Sequence, residues 1–143
     1  MRSTVSIVFG LVVLTACQTS TEPFANIRVA TSVSESGNAV APIRIKTTIT
    51  NESNRAFTLN VKTCPARFRV ETLTGEVIST VAQICDASAQ TTTLAPGELY
   101  QLVELWSGRG PDGQQLLGRY RVIGEPFQTV GPQSEPVIVE LPR

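Results

Sequence analysis

In segment after segment between residues 27 and 141, apolar residues recur at every second position. Ile27, Val29, Thr31 and Val33 alternate with polar neighbours, as do Ile43, Ile45, Thr47 and Ile49. Phe57, Leu59 and Val61 repeat the pattern, and Phe68 and Val70 sit between Arg67, Arg69 and Glu71. Successive side chains of a strand point to opposite faces, so this spacing gives each strand one face for a core and one for water. No stretch holds the repeat of about 3.6 residues that an amphipathic helix needs. Threonine and valine are frequent, and β-branched side chains pack well on a pleated surface. Turn-forming residues fall between the runs: Ser36-Gly37-Asn38, Asn51-Glu52-Ser53-Asn54, Thr74-Gly75, Ala95-Pro96-Gly97, Pro111-Asp112-Gly113 and Gly131-Pro132. Leu99–Trp106 is apolar on both parities, which predicts a central strand with its second face partly covered. Seven to nine short strands predict an all-β fold, an immunoglobulin-like antiparallel sandwich over residues 27–143, although an open barrel shares the pattern. The expected core is Ile45, Ile49, Phe57, Leu59, Val61, Phe68, Val70, Leu102, Tyr120 and Val122.

The first 16 residues read differently. One charge, Arg2, precedes an apolar-to-small run from Val5 to Leu14, which spans about 15 Å as a helix, half of a hydrocarbon core of ~30 Å. That length suits the core of a secretory signal and is too short for a span. The run ends in Leu14-Thr15-Ala16-Cys17. This stretch resembles the lipobox of bacterial lipoproteins. The resemblance implies removal of residues 1–16 and lipid, including palmitate, carried by Cys17. Residues 17–26 would then be the lipidated cysteine and a short tether, with 18–26 spanning roughly 17 Å as a flexible coil. In lipoproteins an aspartate after the cysteine favours the inner membrane. Gln18 stands there instead, so the expected place is the cell envelope, at the periplasmic face of the outer membrane where the source has one.

Three cysteines are odd for an exported chain until Cys17 is assigned to lipid. Cys64 and Cys85 are then an even pair in an oxidising compartment, where a disulfide is expected. It would close a loop of about 22 residues and contribute about 3 kcal/mol in the chain-entropy account. Two buried free thiols are the rival reading. Two cysteines alone leave a tetrahedral zinc site half empty.

The sequence contains 12 basic and 12 acidic residues and no histidine. Balanced charge gives no electrostatic case for nucleic acid as a partner. Without imidazole no Ser-His-Asp or Cys-His nucleophile can be assembled. Asp86 and Asp112 both fall in expected loops, and the glutamates are scattered over strand faces and turns, where solvated surface is the plain reading. No catalytic residue, cofactor or metal is expected. Gly108-Arg109-Gly110-Pro111-Asp112-Gly113 spells a dinucleotide-binding motif, but that use needs a helix N-terminus after it. Pro111 and Asp112-Gly113 make a hairpin turn instead. Arg28, Arg44, Lys46, Arg67, Arg69, Arg119 and Arg121 take the polar parity of strands, and a shared face could hold anionic headgroups or acidic polymers. Glu71 and Glu104 take similar positions, which favours a mixed, solvated face. Lys46 and Lys62 are expected to point to solvent. Trp106 is expected at a core edge, and the Asn51-Glu52-Ser53 sequon is expected to go unused in a bacterial chain.

From Thr48 onward the chain resembles a BsuPI-type domain, named for an intracellular proteinase inhibitor and widespread in bacterial envelope proteins. The residues that carry the resemblance are Ile49-Thr50-Asn51-Glu52-Ser53-Asn54 running into Phe57-Thr58-Leu59, then Phe68-Arg69-Val70 and Gly75-Glu76-Val77. Leu94-Ala95-Pro96-Gly97-Glu98 and Gly118-Arg119-Tyr120-Arg121-Val122 complete it. The family implies the same fold. The expected function is a non-enzymatic, lipid-anchored envelope protein whose partners are the membrane, through Cys17, and an envelope protein or polymer. The alternative is a proteinase inhibitor of BsuPI type, with the Gly108–Gly113 loop or the 82–92 segment as bait.

Overall fold

A computed structural model describes residues 24–34, 42–62, 67–78, 89–127 and 131–142, with only the backbone at 61, 62, 89 and 90. Cys17, Cys64 and Cys85 lie outside the described residues, as do the side chains of Val61 and Lys62. Among the described residues there is no helix. Nine strands follow in order: β1 (Ile27–Ser34), β2 (Ile43–Asn51), β3 (Phe57–Lys62), β4 (Phe68–Glu71), β5 (Val77–Ile78), β6 (Ala89–Leu94), β7 (Leu99–Trp106), β8 (Gly118–Gly124) and β9 (Val137–Leu141). All pairings are antiparallel, in the orders β1-β2-β7, β5-β4-β8-β9 and β3-β6. The three-stranded and four-stranded sheets face each other as a sandwich, with the β3-β6 pair extending it. The all-β expectation holds.

Alternation puts Ile43, Ile45, Thr47 and Ile49 of β2 inside and Arg44, Lys46, Thr48 and Thr50 outside. Ile43 and Ile45 meet Phe68, Val70, Val122, Val139, Leu141, Trp106 and Leu116 in one apolar cluster. Ile27, Ile49, Leu59 and Leu94 form a second, against which Phe57, Tyr100, Leu102 and Phe127 pack. Of the expected core, Phe57, Leu102 and Tyr120 are half-buried and the other described members are buried. Between the clusters the interior narrows: Thr31 and Thr47 hydroxyls lie 3.3 Å apart, and Gly124 of β8 backs onto them. A Cβ at Gly124 would sit 2.8 Å from Thr47 Oγ1, so only glycine lets the two sheets come this close.

The packed unit begins before β1. Phe24 stacks against Phe127 at 4.8 Å and Phe57 at 6.0 Å between ring centroids. Ile27 N donates to Phe24 O and Glu52 N to Asn26 O. Phe24–Asn26, expected within the tether, thus belong to the sandwich.

Asn51 was expected in a turn. It is instead the last residue of β2, and parity carries its side chain into the interior, where it is 0% exposed. Its amide NH2 lies 2.7, 3.0 and 3.2 Å from the carbonyl oxygens of Arg55, Leu94 and Ala95. Its Oδ1 accepts from Ser53 N at 3.1 Å and Ser53 Oγ at 2.6 Å. The backbone closes the same knot: Asn51 N donates to Glu98 O and Gly97 N to Asn51 O. The turn after β2 (residues 52–56) and the turn between β6 and β7 (residues 95–98) are therefore held by one side chain. Gly97, at φ +79°, supplies the left-handed step that the second turn needs. Asn51→Ala removes the amide from all three carbonyl oxygens and from Ser53. Arg55 O keeps Ser53 Oγ and Ala95 O keeps Glu98 N, so the main loss falls on the buried Leu94 O and on the cavity left behind. Urea denaturation should register a loss of about 1–3 kcal/mol. Asn54→Ala, in the exposed part of the same turn, should stay within about 0.5 kcal/mol.

Candidate functional site

The glycine-rich stretch folds as a hairpin loop. Gly108 and Gly113 take φ +71° and +74°, Gly113 N donates to Gly110 O, Gly110 N to Gln114 O, and Leu116 N to Gly108 O. Arg109 Nη1 is tied back to Gly113 O at 2.7 Å, and its backbone oxygen accepts from Trp106 Nε1 at 3.1 Å. Trp106 is buried beside Phe68, so it is core and not a binding tip. Strand β8 follows the loop, and no helix N-terminus faces the glycines. The sequon residue Asn51 has its Nδ2, the atom a glycan would need, buried and bonded.

Register sorts the basic residues onto different surfaces. The outer face of β1-β2-β7 consists of four rows: Arg28–Thr50–Leu99, Ala30–Thr48–Gln101, Ser32–Lys46–Val103 and Ser34–Arg44–Leu105. None of these positions carries a carboxylate. Arg28 reaches Glu52, beyond the strand end, at 3.1 Å in an exposed pair of little energetic weight. Leu99 and Val103 are each 53% exposed and Leu105 47%. Strand β7 was expected to be central. Among the described residues it pairs only with β2, and its outward side chains Leu99, Val103 and Leu105 are exposed.

The outer face of β5-β4-β8-β9 is built the opposite way. Arg69 Nε binds Glu71 Oε1 at 2.8 Å, Arg69 Nη1 also contacts Glu125 Oε1, and Arg121 Nη1 lies 3.7 Å from Glu71 Oε2. Arg119 stands opposite Glu140 in the β8-β9 register. This is the mixed face that the sequence suggested, except that Glu71 is buried beneath its two arginines and not solvated.

Arg67 and Glu104 depart furthest from the solvated reading. Arg67 is only 5% exposed, its backbone N–H lies 3.1 Å from both carboxylate oxygens of Glu104, and its Nη1 points at Pro126 O at 3.5 Å. Glu104 takes the inward parity of β7, between Leu102 and Trp106. Burial pushes its carboxyl above the ordinary value of 4.5, while the Arg67 N–H and charge pull it back. Burial likewise lowers Arg67, against the pull of Glu104 and Tyr100. Among the described residues no group of three or more His, Cys, Asp or Glu side chains could hold a metal ion. No helix there is long and apolar enough to cross a membrane.

No known family and no curated protein matches the chain.

The pH behaviour of Glu104 follows from the direction of its shift. A folded carboxyl that keeps its proton to higher pH than the unfolded one stabilises fully below 4.5 and loses that contribution as pH rises through the raised value. Denaturation of wild type and Glu104→Gln between about pH 4 and pH 8 should therefore show wild type losing ground to the variant as pH rises. A stability difference that stays flat over this range would remove the assigned shift.

Proposed function

We propose that this chain is a lipid-anchored protein of the cell envelope, without catalytic activity, whose β-sandwich serves as a binding or structural module. The observation that carries the reading is Leu14-Thr15-Ala16-Cys17 directly after the Val5–Leu14 apolar run. The packing of Phe24 supports it by setting the anchor distance. Only residues 18–23 would separate a lipid-bearing Cys17 from the sandwich; six residues behaving as a flexible coil span roughly 14 Å, which would hold the module against its membrane. On this reading Cys64 and Cys85 form a disulfide, and the periplasmic face of the outer membrane is the favoured place in a diderm source. The domain is of BsuPI type, and its exposed sheet faces offer the area for a partner.

One observation favours a second reading, a proteinase inhibitor. The 108–115 loop is braced by its own hydrogen bonds and exposes Pro111 and Asp112, the rigid projecting form that a bait loop takes. Unchanged hydrolysis by serine, cysteine and metalloproteases in the presence of the full chain eliminates that reading.

Intact-mass analysis after expression in a bacterial envelope tests the anchor. Wild type should lose residues 1–16, carry acyl mass on Cys17, and weigh two hydrogens less than its reduced form. Cys17→Ser should carry no lipid and leave the membrane fraction; a membrane-bound, lipid-bearing Cys17→Ser protein contradicts the reading.

A further inference from the structure

The two outer faces of the sandwich differ in kind. On β5-β4-β8-β9 each described arginine cluster is matched by carboxylates within the face itself. On β1-β2-β7, three of the four rows carry one cation and one exposed aliphatic side chain: Lys46 next to Val103, Arg44 next to Leu105, and Arg28, paired with Glu52 beyond the strand end, across Thr50 from Leu99. The cations lie on β1 and β2 and the aliphatic row on β7, and no carboxylate interrupts either. Among the described residues Arg44 and Lys46 have no ion-pair partner. Positive charge flanking an uncovered aliphatic strip is the chemistry that anionic headgroups over an acyl layer complement.

We propose that the outer face of β1-β2-β7 rests on the anionic headgroups of a lipid bilayer. The proposal depends on the lipid-anchor reading and adds to it which surface faces the membrane. The path of the chain favours this occupant over a protein. Phe24–Asn26 lead directly into β1, the first strand of this same sheet. The patch runs roughly 20 Å along the strands and 10 Å across them. Six tether residues reach about 20 Å when extended, enough for the sheet to lie flat over its own anchor. Tethering raises the effective concentration of the face at the surface to the millimolar range, so a few cations suffice where a free domain would not bind.

The two lysines make the test direct. Lys46 lies on the face, and Lys62 lies on β3, in a different sheet. The full-length lipidated chain is placed in vesicles of phosphatidylcholine, with or without about one-third phosphatidylglycerol. Lysine acylation is then quantified by peptide mass spectrometry. The Lys46-to-Lys62 labelling ratio should fall about fivefold with the anionic lipid and recover in about 0.5 M salt. Combining Arg44→Gln with Val103→Ser, both at exposed positions, should abolish the fall. A ratio that is the same in both vesicles overturns the docking, and so does one that falls only after envelope proteins are added. The acyl mass of the N-terminal peptide is read in the same digest. Lipid present with an unchanged ratio overturns the docking alone, whereas a chain without lipid overturns the anchor and the docking together.

Discussion

One primary amide holds this sandwich in register. Asn51 stands where the inward parity of β2 runs past its last aliphatic residue, and it fills the slot with hydrogen bonds in place of hydrocarbon. Its two hydrogens are shared among three carbonyl oxygens, its Oδ1 fixes Ser53, and its own backbone bonds to Gly97 and Glu98. A buried amide this well satisfied specifies one arrangement, because any slip of β2 against the β6–β7 turn would leave several groups unpaired at once. Two stretches far apart in the sequence, Ile49–Asn54 and Leu94–Glu98, are in space one structure. Asn51 is the residue that joins them.

From that fixed end the sandwich runs as two apolar clusters separated by a waist of Thr31, Thr47 and Gly124. Beside the waist, Arg67 and Glu104 bring charge into the β7 side of the interior. Each lowers the other's desolvation cost, and neither is fully compensated, as the opposed shifts of their proton affinities show. The same alternation that builds this interior also writes the two exteriors. One carries arginines paired with carboxylates, the other sets Arg44 and Lys46 beside an exposed aliphatic row.

Most of the fold was legible in the sequence because period-two alternation survives in nearly every strand. The bounds Leu99–Trp106, the inward Ile45, Ile49, Val70 and Val122, and the hairpin character of Gly108–Gly113 all follow from it. What escaped the sequence depends on neighbours distant in the chain. Asn51 looks like a turn residue until β2 parity is extended by one more step, which is the signal that could have found it. Strand β7 is apolar on both parities, so its pattern alone could not say that Glu104 turns inward while Val103 and Leu105 turn out. The burial of Arg67 depends on Glu104, 37 positions away, and has no local signature. Cys17, Cys64 and Cys85 remain expectations of the sequence, since all three lie outside the described residues.

Native-state hydrogen exchange is the most direct test of the claim that Asn51 is the knot of the fold. The amides of Asn51, Ser53 and Gly97 report the knot, and those of Ile45 and Ile49 report the β2 core. The account predicts that both sets open only with global unfolding and share one exchange free energy. Exchange of Ser53 and Gly97 by local opening, orders of magnitude faster while Ile45 and Ile49 stay protected, would contradict it.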